Sequence, residues 1–253
     1  MAETSKTVTN ALVVMECFHR EAIALSSSEL ARRIGIPRTN VLRLLATLQG
    51  RGWLERTEDG ASYRIGLRAF EIGSNYLTAN SSTAAIRNVI NELVSTTAGC
   101  TAYAGVLDRD DVVITHCIEG TLPIRFVWKI GDRLPCTTTA IGKAILSHLP
   151  DSDVEKHLRP GHLRTLTHKS IKSRKSLQRQ LERAHNAGWA IAREESHAGL
   201  TAVGAAVFAG GKPVSAVSVS WFDHPPDRKR LERYAQCVMQ AADRISREMS
   251  ARN

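Results

Sequence analysis

The sequence predicts a two-domain α+β fold, a small helical domain carrying a β-hairpin followed by a larger domain of mixed strands and helices. Three observations carry this. The chain has 253 residues, the length of about two domains. Its first third reads as short helices separated by a glycine turn and followed by a hairpin. The rest switches between period-two and helical apolar patterning. The expected divisions are 1–66, a linker helix over 67–82, and 83–253.

The elements follow in order. TVTNALVVMECFHR, 7–20, carries an apolar stripe at Val8, Ala11, Leu12, Met15 and Phe18, the spacing of one helix face. In SSSELARRIG, Ser28 is a candidate N-cap with Glu29 in the favoured acidic first turn, and Gly35 can end the helix in the left-handed conformation. Pro37 suits the first position of a third helix. There Val41, Leu44, Leu45 and Leu48 mark one face, and Arg38, Thr39, Asn40, Arg43 and Thr47 the other; Gly52 ends it. Strands around 53–56 and 62–65 flank Glu58-Asp59-Gly60, the turn chemistry of a hairpin. Leu67 to Thr97 is helical, with a break at Asn80-Ser81-Ser82.

Beyond it, TAYAGVLD, DVVITHCIE and LPIRFVWKI read as strands. TTTAIGKAILSHL is an amphipathic helix, and SRKSLQRQLERAHNAG is a helix stopped by Gly188. Strands over 202–208 and 213–221 meet at Gly210-Gly211, and RLERYAQCVMQAADRISREMS closes the chain as a helix.

Composition narrows the function. Hydrophobic residues are 43% and charged residues 23%, the balance of a soluble protein. No apolar run approaches the ~18 residues of a membrane span, and MAETSKTVTN lacks a signal peptide's basic start and apolar stretch. The expected location is the cytoplasm, with no membrane partner. Five scattered cysteines without a C-x-x-C fit a reducing compartment. The net charge of +9 suits an acidic partner. It is concentrated, since Arg32 to Arg56 holds six arginines against Glu55 alone. A second run, Lys156 to Arg183, sets nine basic residues against Glu182; it reads either as a solvated face beside Pro160-Gly161 or as a second nucleic-acid contact. With 5 Phe, 4 Trp and 4 Tyr, rings are scarce for a binder of single strands, which stacks bases on aromatic platforms.

Short helix, glycine turn, helix and hairpin together make a winged helix-turn-helix. Ala31 permits close helix contact, Gly35 turns the chain, and Val41 packs the second helix onto the first. That second helix then presents Arg38, Thr39, Asn40 and Arg43 to a major groove, where Arg can pair with guanine and Asn with adenine. Arg56 and Arg64 on the hairpin are candidates for phosphate. Double-stranded DNA is the expected partner.

In order, SSSELARRIGIPRTNVLRLLATLQGRGWLER, YRIG, RLPCTTTAIGKAILSHLP, AREESHAGLTAVGAAVF and AVSVS resemble the signature blocks of the IclR family of bacterial transcriptional regulators, from about Val8 to Ser246. The resemblance implies a winged helix-turn-helix, a linker helix and a C-terminal GAF/PAS-like mixed α/β effector-binding domain. It implies a dimer or tetramer on a palindromic operator, more often a repressor, that senses a small carboxylate or aromatic acid. Threonines before a helix cap its amides, which favour a carboxylate. Ser218 and Ser220 share one strand face. By resemblance, that face and Thr138, Thr139, Ala140 and Ile141 close over one cavity, with Leu200 and Ala202 as apolar wall. The chain departs from the family at Gly99-Cys100-Thr101, Thr137-Thr138-Thr139-Ala140-Ile141 and Trp221-Phe222. These positions are expected around the pocket, so the ligand does not follow from a relative's.

No enzyme, metal or cofactor is expected. Gly142-Lys143 lacks the first glycine and the Ser/Thr of a P-loop. His157, His162 and His168 lack the i, i+4 spacing of a helical zinc pair. Cys100, Cys117 and Cys136 read as small buried hydrophobes. Glu194-Glu195 would point to opposite faces of a strand, and the resemblance makes them part of a pocket-lining loop. The alternative is a ligand-handling enzyme with an accessory basic domain.

Overall fold

The computed structural model describes residues 4–18, 24–79, 83–158, 163–223 and 226–251. Two units emerge, 1–80 and 81–253.

In the first, α1 (Lys6–Glu16), α2 (Ser27–Ile34) and α3 (Arg38–Gly50) precede a hairpin of β1 (Leu54–Arg56) and β2 (Tyr63–Ile65), then α4 (Leu67–Ala79). Val14, Phe18, Leu25, Leu30, Val41, Leu45, Leu54 and Tyr63 form its core. The α1 stripe is rotated from the expected one: Val14 is buried while Val8 and Leu12 are each 58% exposed. The helix stops at Glu16, so Phe18 turns inward from beyond its end; His19 and Arg20 lie outside the described residues. The α2 cap is Ser26 rather than Ser28. The Ser26 hydroxyl accepts from Glu29 N at 3.2 Å and the Ser26 amide donates to Glu29 Oε2 at 2.8 Å, a capping box, because Glu29 stands three residues after Ser26. Gly35 ends the helix at φ 68°, and Pro37 is the N-cap of α3 rather than its first residue, so the helix begins one place later than expected, at Arg38. Leu25 exchanges two backbone bonds with Tyr63, adding a one-residue third strand.

The second unit is built on one antiparallel sheet, in spatial order β5-β4-β3-β8-β7-β6. The strands are β3 (Thr101–Asp108), β4 (Asp111–Ile118), β5 (Arg133–Pro135), β6 (Ala190–Arg193), β7 (Leu200–Ala209) and β8 (Lys212–Phe222). Gly210 and Gly211, at φ 56° and 74°, make the tight β7–β8 turn. Side-chain parity divides the sheet. Ala102, Val203, Val217 and Val219 pack under α5 (Thr83–Thr96) and α9 (Arg228–Ser250). Tyr103, Ala190 and Ala216 pack on the other face with α6 (Ala140–Leu146) and α8 (Arg174–Ala187). A short α7 (Asp151–Lys156) lies between these last two in sequence. The interhelix break at 80–82 lies outside the described residues.

Two further expectations change, and two elements are added. The segment 122–130 is not a strand. Pro123 has no amide for a ladder, and Gly131, at φ 91°, turns the chain so that Arg133, Leu134 and Pro135 take the edge of β4 instead. The helix at 137–149 is only α6, and all seven of its residues are buried, so it is interior rather than amphipathic. The strand β6 and helix α7 were too short for any periodicity to announce.

The start of α6 lies hard against its neighbours. A Cβ on Gly142 would sit 2.1 Å from the Cys136 carbonyl oxygen. Helix propensity alone would make Gly142→Ala stabilising by about 1 kcal/mol; overpacking of this kind costs about 1–3 kcal/mol. The expected outcome is net destabilisation of the second unit, read as a lower urea midpoint at unchanged slope. A raised midpoint would contradict this packing.

Candidate functional site

Two regions carry the residues the sequence singled out. In the first unit, burial of Val41 and Leu45 turns the opposite face of α3 outward, so Arg38, Thr39, Asn40 and Arg43 are all exposed. Arg38 Nε donates to Ser27 Oγ at 3.1 Å. The Thr47 hydroxyl turns back onto the Arg43 carbonyl at 3.0 Å. The hairpin arginines are engaged differently. Arg56 lies 5.3 Å from the Tyr63 ring centroid and donates to the Tyr63 hydroxyl through Nη2 at 3.0 Å. Arg64 faces Glu55 across the hairpin, 3.2 Å apart. This pair is exposed on both sides, so its intrinsic stabilisation is small, but it offsets part of the charge that Arg64 offers.

In the second unit, a narrow cavity of about 30 Å³ opens between the α6 side of the sheet and the start of α6. Thr139, Ala140, Ile141, Leu200, Ala202, Ser218 and Ser220 line it. Thr138 does not: its hydroxyl donates to the Pro135 carbonyl at 3.0 Å, because the short turn over Cys136–Thr138 folds that side chain back. The lining also includes Tyr103, Ile114, Trp128, Leu134, Ala192 and Ser196, none of which the sequence singled out. Tyr103 pairs with Ser218, and Ser220 pairs with Ala202, so these side chains share a face. That placement needs the strand order 3-8-7, which no local pattern gives.

Polar groups in the cavity are few. Thr139 Oγ1 accepts from Gly142 N at 3.0 Å and so caps α6, leaving the amides of Ala140 and Ile141 outside that cap. Ser220 Oγ is fully enclosed and makes no well-formed hydrogen bond among the described residues; its polar neighbour is the Tyr103 hydroxyl. Among the described residues, no lining side chain is charged. The Tyr103 hydroxyl donates to the Phe126 carbonyl at 3.0 Å and accepts from Trp128 N at 3.4 Å; burial pushes its pKa up to about 12. It thereby holds the irregular 122–130 segment against the cavity, where Phe126 packs 4.6 Å from Trp128 and 4.5 Å from His197.

Of the family departures, the 137–141 block reaches the cavity wall through Thr139, Ala140 and Ile141, and the other two lie elsewhere. Cys100 and Trp221 belong to the core under α5 and α9, because each neighbours in sequence a residue of the cavity face. Trp221 meets Tyr234 edge-on at 5.0 Å. Glu195 does not line the cavity either. It is buried, and its Oε1 accepts from Lys143 Nζ at 2.7 Å, while Lys143 Nζ also donates to Gln180 at 2.8 Å. Burial pulls the Lys143 ammonium below its usual pKa, and the Glu195 charge opposes this. The adjoining Glu194, at φ 56°, accepts from Gly199 N at 3.1 Å. The loop they fix supplies Ser196 to the wall.

The reactive-residue candidates have quiet surroundings. Burial, helped by Asp110 and Asp111, pushes the Cys136 thiol up to about 12. Burial and Glu119 push Cys117 up to about 11. Thiols that keep their protons are poor nucleophiles. His157 Nδ1 meets the Arg109 carbonyl at 2.5 Å; His162 lies outside the described residues. Among the described residues, no three His, Cys, Asp or Glu side chains are grouped to hold a metal ion, and no helix is long and apolar enough to cross a membrane. In the Lys156–Arg183 run, Lys156 pairs with Asp153, Arg164 with Asp111 and Arg174 with Glu155, so acids from outside the run neutralise part of it.

Comparison with known proteins bears on both regions. Residues 7–58 match the IclR helix-turn-helix domain and residues 75–247 match the bacterial transcriptional regulator IclR C-terminal domain. The chain is 26% identical to the HTH-type transcriptional regulator XynR of Escherichia coli strain K12 over 96% of its length and 97% of that protein's. It is 27% identical to the transcriptional repressor IclR of the same organism, covering 95% of this chain and 89% of that one. An IclR homolog from Microbacterium hydrocarbonoxydans, solved in complex with 4-hydroxybenzoate, shares the fold with a TM-score of 0.84 at 20% identity, over 96% of this chain and 99% of that one. The exposed α3 face, the winged hairpin and the walled cavity therefore sit on a framework matched almost end to end, and the chain belongs to the IclR family of bacterial transcriptional regulators.

Proposed function

We propose that this regulator is a cytoplasmic repressor that binds a palindromic operator as a homodimer or tetramer and releases it on binding a small monocarboxylic acid in the cavity of its second unit. The observation that carries the ligand is the enclosed Ser220 hydroxyl, which makes no well-formed hydrogen bond among the described residues and has only the Tyr103 hydroxyl beside it. A buried polar group left unpaired costs about 1–3 kcal/mol, which a ligand oxygen would recover. The amides of Ala140 and Ile141 and the Ser218 and Ser196 hydroxyls supply further donors, and Leu200, Ala202, Ile141 and Trp128 offer apolar walls suited to a flat body. With no charged lining residue among those described, the site can hold one carboxylate through amides and hydroxyls. A second carboxylate would be buried without compensation. The complex of the Microbacterium homolog with 4-hydroxybenzoate supports this chemistry. Such a ligand alters DNA affinity only by binding two arrangements of the oligomer unequally.

Thermal-shift measurements with benzoate and 4-hydroxybenzoate against terephthalate check this reading. The monoacids should raise the melting temperature, terephthalate should not, and Ser220→Ala and Ala140→Trp should reduce the response. Equal binding by both variants would place the ligand elsewhere.

For DNA, Arg38, Thr39, Asn40 and Arg43 are proposed to read bases, with Arg56 and Arg64 on phosphates. Arg43→Ala should weaken operator binding by about 1–3 kcal/mol and relax preference at one base pair. Glu55→Gln frees Arg64 from its partner, so it should strengthen binding to all sequences and steepen the salt dependence. An unchanged salt slope would remove Arg64 from the phosphate contacts.

One recognition helix reads too few base pairs to find an operator in a genome, so two copies are required. On α4, Leu67, Phe70 and Ile72 are 64%, 69% and 45% exposed, apolar area that pairing would cover. The side chain of Leu77, the fourth proposed contact, lies outside the described residues. Phe70→Glu should convert a dimer at micromolar concentration into a monomer in sedimentation velocity; a wild-type monomer would refute the assignment.

A further inference from the structure

Arg38 opens α3 at a position exposed to solvent, yet its side chain is not free. Its Nε donates to the Oγ of Ser27, the first residue of α2, at 3.1 Å. Ser27 itself is only 6% exposed. It follows directly on Ser26, whose capping box with Glu29 fixes that turn of the chain. The anchor is thus rigid and buried, while the anchored group is long and exposed. Arg43, further along the same face, has no such tether among the described residues.

The guanidinium is a planar fork with five donors in fixed geometry. Binding Nε to a hydroxyl uses the inner edge and orients the plane, and it leaves Nη1 and Nη2, which together span the O6 and N7 acceptors of a guanine. A tether also removes rotamer freedom before the DNA arrives, and that freedom would otherwise be lost on binding. We infer that Ser27 is a positioning residue for base recognition, holding Arg38 so that its two terminal nitrogens meet one guanine in the major groove. This rests on α3 being the DNA-reading helix, as proposed above. Ser27 touches no base. Its role is to turn a mobile charge into a directional reader.

The test uses the full chain. Selection from a randomised duplex library identifies the preferred motif, and anisotropy titrations on that duplex and on its single-base variants give the preference at each position. Arg38→Ala should abolish the preference for guanine at one symmetric pair of positions. Ser27→Ala should lower that same preference by about 2- to 10-fold, with the affinity for random duplex and the salt slope unchanged. Ser27→Thr, which keeps the hydroxyl, should restore it. A Ser27→Ala protein with the wild-type preference, or one that loses affinity equally for every sequence, would overturn the inference while leaving α3 as the reader. If the wild type enriches no motif, the reading of α3 fails and this inference with it.

Discussion

Gly142 and Gly204 let the start of α6 lie directly on the sheet and on the turn before it. A Cβ on Gly204 would come within 3.0 Å of the Ala140 carbonyl carbon and 3.2 Å of the Ile141 nitrogen. The contact on one side is backbone against backbone, so nothing flexible could give way. That approach brings the Ala140 and Ile141 amides to the same wall as Ser218 and Ser220. It also sets the width of the cavity, because the helix can come no closer and larger residues would hold it away. Interiors packed to crystal-like density behave in this way: small shape changes at a contact are transmitted rather than absorbed.

The same approach puts Lys143 in the interior, one helical turn from the cavity wall. An isolated buried ammonium is far too costly to keep, and Glu195 and Gln180 meet it. The pair ties α6 to the loop that provides Ser196, so two walls of the cavity are fixed by one buried contact. A buried ion pair is weak evidence for net stability, but losing one partner strands the other. Here its evident consequence is geometric. The helix start and the loop cannot drift independently, which keeps the Ser220 hydroxyl enclosed.

The first unit follows a comparable logic on a smaller scale. Its eight-residue core fixes which face of α3 is outside, and charge is then distributed by local pairing. Arg43 offers its charge outward. Arg38 is oriented by Ser27. Arg56 is shared with the Tyr63 ring and hydroxyl, and Arg64 is shared with Glu55. The local excess of arginine therefore describes a surface on which each cation has a different degree of freedom, from outward-facing to paired with an acid.

What the sequence determined by itself was much of what near neighbours govern. Gly35 and Gly188 mark helix ends because the left-handed conformation suits glycine, Gly210-Gly211 fixes a hairpin, and period-two spacing puts Ser218 and Ser220 on one face. That these serines and Thr139, Ala140, Ile141, Leu200 and Ala202 share one cavity followed from the family resemblance, not from local pattern. Thr138 was misplaced because a three-residue turn has no periodicity to show which way a side chain folds back. Ser26, not Ser28, caps α2, because the reciprocal bond to Glu29 requires the Ser-x-x-Glu spacing, a local signature present in the sequence. Tertiary structure decided the rest. The 122–130 segment alternates like a strand but finds no edge, since Pro123 cannot pair and Gly131 delivers Arg133–Pro135 to β4 first. Tyr103, Trp128 and Ala192 join the cavity only once strand order is known, and Lys143 meets Glu195 across 52 positions of chain. Backbone conformation is set within a few residues, so the sequence shows it. Strand order and buried charge pairing are set by which distant segments meet, and only the folded chain contains that information.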